Sequence, residues 1–173
     1  MDLERNLIDN VLECGEKLGK STLPVTFYYH ETSLMELLDC KAEELSDQIL
    51  AFYEKEQKRL GKVNITELAK EPGRYGITVP KEGMQWVFEH YEASAFTKAF
   101  IGEISKKQNT LEGLLTFFQS YPEEVEVIRH DREWAVYFKE GRTDPYVYHL
   151  EENAFGVEYH RFTRAAYDLL MNA

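Results

Sequence analysis

Glu124-Val125-Glu126-Val127-Ile128-Arg129-His130 and Glu133-Trp134-Ala135-Val136-Tyr137-Phe138-Lys139 flank a tight polar connection. Both runs are rich in β-branched and aromatic residues, which fit a pleated, half-buried surface. They read as two strands of a hairpin, and Pro145-Tyr146-Val147-Tyr148-His149-Leu150 reads as a third strand. Upstream, helical spacing dominates, and one more helical pattern closes the chain. Helices followed by an antiparallel meander give an α+β class, not alternating α/β. The expected architecture is a helix-rich N-terminal two-thirds, a three- to four-stranded antiparallel meander and a C-terminal helix.

Strand alternation assigns faces within the meander. Trp134, Val136 and Phe138 share one face of the second strand, and Tyr146, Tyr148 and Leu150 share one face of the third. Val157-Glu158-Tyr159 is expected to add a short edge piece. A closing helix is expected from about His160 to Met171. It carries Phe162, Ala165, Ala166, Leu169 and Leu170 and should cover one face of the sheet.

Upstream, Leu3, Leu7, Val11, Cys14 and Leu18 form one stripe of an amphipathic helix over Asp2–Leu18, with Gly19 as its C-cap. Leu23 to His30 reads as extended. Ser33 and Glu36 form a capping-box pattern for a short helix, Leu34–Asp39. A long helix is expected over about Ala42–Leu60, with Leu45, Ile49 and Phe52 on its buried edge and Gly61 ending it. Ile65–Lys70 reads as a short helix broken by Glu71-Pro72-Gly73, and Gly76–Val79 as a short strand. Helices follow at Lys81–Tyr91, at Phe96 to about Lys106, and from Leu111 until Tyr121-Pro122. Asn109 or Thr110 caps the last of these. A single domain spanning 1–173 is expected, with a weak seam at Lys106–Asn109.

The chain has 173 residues and a formal net charge of −11, from 20 Lys+Arg against 31 Asp+Glu. The acids are spread along the sequence, so the surface should be negative throughout. Such a surface repels nucleic-acid backbones and anionic lipid. Hydrophobic content is 43% and aromatic content 13%, enough for a packed core and against disorder. The start, Met1-Asp2-Leu3-Glu4-Arg5, shows no basic run followed by an apolar one, so no signal peptide is expected. No apolar run has the roughly 18 residues of a membrane span. Cys14 and Cys40 read as structural thiols. The expected compartment is a reducing cytoplasm.

Ala69, Gly73 and Val79 have the spacing of a helix-turn-helix, but Pro72 would sit in its turn and Pro80 in its reading helix. Nucleic-acid binding is therefore not expected. Lys55, Lys58, Arg59 and Lys62 lie on one helical face near a C-terminus, where cations are favoured by the dipole. They read as a solvated helix end.

His130, His149 and His160 fall near Asp131, Glu133, Glu151 and Glu158. None has a metal-ligand spacing, so neither a metal nor a cofactor is expected. His149 alternates against Tyr146, Tyr148 and Leu150, which puts it on the less apolar face with Glu151. There Tyr137 could be a cross-strand neighbour. His149, Glu151, Tyr137 and His130 are the candidate binding residues. No nucleophile elbow, P-loop or dinucleotide fingerprint is present. Tyr28, Tyr29, Tyr146, Tyr148 and Tyr159 suit either a core margin or a recognition surface.

Gly73-Arg74-Tyr75-Gly76-Ile77-Thr78-Val79-Pro80 and Val25-Thr26-Phe27-Tyr28-Tyr29 resemble segments of an uncharacterised family of proteins from anaerobic, gut-type bacteria. The likeness spans most of the chain. It implies a bacterial cytoplasm and transfers no activity and no site residues.

The leading functional expectation is a non-enzymatic interaction module using a tyrosine-rich surface, with a second copy or another protein as partner. The alternative is an enzyme, or a small-ligand or metal binder, with a non-local site on the C-terminal sheet.

Overall fold

The computed structural model describes residues 1–172, and the chain divides into two compact units, Met1–Ala93 and Ser94–Ala173. Lys106–Asn109, the expected weak seam, lies within the second unit. The fold is α+β: seven α-helices and two antiparallel sheets among the described residues. No helix there is long and apolar enough to cross a membrane.

In the first unit, α1 (Leu3–Leu18) starts where Asp2 Oδ1 accepts the Arg5 N–H at 2.8 Å. Its buried stripe is Leu3, Leu7 and Val11, widened by Ile8 and Leu12. Gly19 ends it at φ +86°. β1 (Val25–His30), β2 (Asn64–Glu67) and β3 (Arg74–Val79) form a sheet of order β1-β3-β2. Ile77 lies opposite both Phe27 and Ile65, so the sheet's apolar face is built around β3. α2 (Glu31–Leu37), α3 (Leu45–Glu56) and α4 (Lys81–His90) complete the unit.

Three local expectations are corrected here. Asn64–Glu67 is a strand, not the start of a helix, because Ile65 pairs with Ile77 and the Leu68 N–H bonds to the Arg74 carbonyl across the turn. Gly73, at φ +79°, closes that turn. Ala69–Gly73 is thus a hairpin connection and Val79 ends a strand, so no helix-turn-helix forms there. The helix read from Leu34 begins at Glu31, capped by His30 Nδ1 accepting from Thr32 N–H, and Ser33 lies inside it. The long helix is shorter than read, since Ala42–Glu44 is a 3-10 turn and α3 ends at Glu56.

In the second unit, α5 (Ala95–Ile104) and α6 (Leu111–Gln119) precede a four-stranded meander: β4 (Val125–His130), β5 (Glu133–Phe138), β6 (Tyr146–Asn153) and β7 (Gly156–Thr163). Thr110 caps α6 through its Oγ1. Trp134, Val136, Phe138, Tyr146, Tyr148 and Leu150 pack on Phe96, Phe100, Leu114 and Phe118. α7 (Arg164–Met171) lies on the opposite face, where Tyr167 joins Ala135, Tyr137, Val147 and Phe162.

The chain's end differs from the sequence reading. The short edge piece is a full strand of eight residues, and the closing helix starts at Arg164 instead of His160. His149 faces His160 and Val147 faces Phe162 across β6 and β7. Thr163 Oγ1 then accepts the Ala166 N–H and starts the helix.

Candidate functional site

The meander has two faces with different surroundings. One is filled by the aromatic core under α5 and α6. The other divides into rows that run across the four strands, because antiparallel partners point to the same side. The first row is Glu126, Tyr137, Val147 and Phe162, the second Ile128, Ala135, His149 and His160, and the third His130, Glu133, Glu151 and Glu158.

The first row is covered. Tyr137 is only 7% exposed; its hydroxyl donates to Glu126 Oε2 at 2.5 Å, and the Arg164 guanidinium lies 3.9 Å from its ring centroid. Burial, and then the bond to Glu126, push the Tyr137 phenol up, so it remains a protonated donor.

The third row is open. Glu133 lies directly opposite Glu151, and Glu151 directly opposite Glu158. Neighbouring strands are about 4.8 Å apart, so three carboxylates stand side by side on exposed sheet. Like charges directly opposite are unfavourable, by up to about 1 kcal/mol per pair. Among the described residues, no lysine or arginine pairs with any of the three. Glu133 Oε2 lies 3.6 Å from His149 Nε2. That contact becomes an ion pair only when the imidazole is protonated.

This end of the sheet is held firmly. The Glu152 N–H bonds to the Arg132 carbonyl at 2.9 Å, tying the two hairpin ends together. Glu152 Oε2 accepts the Leu111 N–H at the start of α6, and Asn109 Oδ1 accepts the Val157 N–H. The β6–β7 turn is closed by Asn153 Oδ1 accepting from Phe155 N–H. Gly156 follows at φ +132°, where a Cβ would meet Asn109 Oδ1 at 2.7 Å. The turn carries Phe155 outward, 95% exposed.

Three of the four expected residues, His130, His149 and Glu151, therefore share the open part of one sheet face. Tyr137 is on that face but beneath α7. His149 lies opposite Ala135, so Tyr137 is its diagonal neighbour and not its partner. Sequence reasoning did not place Glu133, Glu158, His160, Ile128 or Phe155 in this patch. The two-residue Asp131-Arg132 connection would have supplied the β4–β5 register. The alternation of Gly156 to Thr163 would have supplied the rest. Among the described residues, no group of three or more His, Cys, Asp or Glu is placed to hold a metal ion.

The tyrosine-rich recognition surface does not form. Tyr29, Tyr146 and Tyr148 are core residues and Tyr159 packs against the core, which leaves Tyr28 exposed. Cys14 and Cys40 are half-buried, and burial raises both thiols. That is opposite to the direction a nucleophile needs.

The family model described as "Domain of unknown function, E. rectale Gene description (DUF3877)" matches residues 1–171. The chain belongs to this family. No match is found among curated proteins or among solved structures. Membership in DUF3877 agrees with the resemblance seen at Val25–Tyr29 and Gly73–Pro80, and the family description assigns no activity to any residue.

Proposed function

We propose that this chain is a non-enzymatic interaction module, and that its partner presents lysine or arginine side chains to the open end of the second unit's sheet. The row Glu133, Glu151 and Glu158 carries the reading. It spends stability on adjacent like charges that a cationic partner would neutralise. Phe155, projecting from the turn at the same end of the sheet, supplies an apolar anchor of the kind that dominates interface energetics. The net charge of −11 would steer a basic partner toward the molecule.

Charge also separates a different protein from a second copy. A two-fold pairing through this patch would set one carboxylate row near the other. A basic partner relieves the repulsion that self-pairing would add to.

Photo-crosslinking tests this. A photoreactive residue at Phe155 is expected to give a discrete adduct in the native host, and the adduct should vanish when Glu151→Lys and Glu158→Lys are introduced together. The same probe at Leu18, 80% exposed in the first unit, should give none. An adduct that survives the charge reversal, or none from Phe155, contradicts the proposal.

A further inference from the structure

Glu56, the last residue of α3, is 0% exposed, and neither carboxyl oxygen has a hydrogen-bond donor. A buried carboxylate with no donor is strongly disfavoured. Two cations stand nearby, but their closest contacts go to Glu4. Lys55 Nζ is 3.1 Å from Glu4 Oε2 and 3.4 Å from Glu56 Oε1. The Arg59 guanidinium is 2.7 Å from Glu4 Oε1 and 3.7 Å from Glu56 Oε1. Glu4 also stands in the first turn of α1, where the helix dipole favours an anion. Charge therefore belongs on Glu4 and neutrality on Glu56.

We propose that Glu4 and Glu56 share one proton, with the Glu56 O–H donating to the Glu4 carboxylate, and that this pair is a proton-operated latch between the start of α1 and the end of α3. A single proton gives the buried acid its missing partner and leaves Lys55 and Arg59 to balance Glu4. The charged groups acting on Glu56 are Glu4 from α1, Lys55 from α3, and Arg59 from the turn after it. Burial first, and then the contact with Glu4, raise Glu56 above the ordinary 4.5, against the opposing pull of Arg59 and Lys55. A group raised in the folded state contributes stability that is fully present below its unfolded value. That stability is lost as pH rises through the folded value. Glu4 and Lys55 also help wall a cavity of about 220 Å³ together with Asp2, Leu37 and Phe52. Opening the latch would thus place a second negative charge next to the Glu4 side of that cavity.

The test is a carboxyl NMR titration of the full chain with ¹³C-labelled glutamate. Glu56 is expected to ionise at clearly higher pH than the exposed glutamates. In Glu4→Gln, where both cations turn to Glu56, its titration should move down. Glu56→Gln keeps an N–H donor for Glu4, so its unfolding midpoint should hold as pH rises above the ordinary glutamate range, while the wild type's falls. Glu56 ionising together with the exposed glutamates would overturn the proposal. A Glu56→Gln midpoint that falls in parallel with the wild type would do so as well. If Glu56→Gln fails to fold, the wild-type titration decides alone.

Discussion

The covered and open halves of one sheet face in the second unit are made by the same four strands, in rows separated by that of Ile128, Ala135, His149 and His160. Glu126, Tyr137, Val147 and Phe162 meet α7, while His130, Glu133, Glu151 and Glu158 meet solvent. The difference follows from the reach of α7. Its eight residues span about 12 Å at 1.5 Å each. Alternate residues of a strand are about 6.6 Å apart, so a helix that short lies over about two rows at most. The residues His160–Thr163, which would have lengthened the helix, pair with β6 instead. Alternation determines which side chains share a face. Where the chain returns determines whether that face is core or surface.

The largest expected effect lies in the covered half. Tyr167→Ala removes the α7 ring packed on Ala135, Tyr137 and Val147 and should cost the second unit about 3 kcal/mol. Denaturant unfolding followed by Trp134 fluorescence in a Trp86→Phe background measures it. A cost below about 1 kcal/mol would mean that α7 is not what makes this half core.

At the same end of β5, Glu123 accepts backbone N–H groups from Glu140, Arg142 and Thr143 at 3.0, 3.1 and 2.6 Å. Burial pushes this carboxyl up, but the Thr143 side-chain hydrogen bond and then these backbone donors outweigh it and hold it below the ordinary 4.5. A lowered group contributes stability above its unfolded value that is lost as pH falls through the folded value. Glu123→Gln should cost about 2 kcal/mol at pH 7. The gap to wild type should close as the solution is acidified, by the same fluorescence assay. A gap that is constant with pH would show that the charge is not what holds this loop.

The open half should respond in the other direction. Glu151→Lys replaces the middle of three like charges and should stabilise the second unit by up to about 1 kcal/mol. It should also lose the partner, a trade expected where a surface is kept unfavourable for binding. Phe155→Ser should change stability by less than about 0.5 kcal/mol. It should still weaken partner binding by about 30-fold, the loss of a roughly 2 kcal/mol anchor. Calorimetry with the crosslinked partner separates these two outcomes.

Much of this architecture can be read from the sequence, for identifiable reasons. Leu111, Leu114, Leu115 and Phe118 give α6 because four apolar residues at helical spacing follow a capping Thr110. Trp134, Val136 and Phe138 give the core face of β5 because alternation is local. β2 is not legible locally, because Asn64–Glu67 gains its strand identity from β3, a partner outside any local window. The length of β7 is hidden because Phe162, Ala165, Ala166 and Leu169 mimic a helical stripe across a strand–helix junction. The open patch was partly legible, since alternation separates His149 and Glu151 from the tyrosines. Its carboxylate row needed the register of three strands. Glu56 left no local sign at all. Beside Glu54 and Lys55 it resembles an ordinary surface charge, and only the tertiary packing shows that it is buried.

The most direct test of the open half as a binding surface is an amide NMR map of the full chain titrated with an arginine-rich peptide at physiological salt, where screening is about 8 Å. Shifts are expected only at His130–Glu133, His149–Glu151 and Phe155–His160, with their loss in Glu151→Lys. Shifts spread evenly over the acidic surface of both units, or unchanged by Glu151→Lys, would contradict a binding role for the open half.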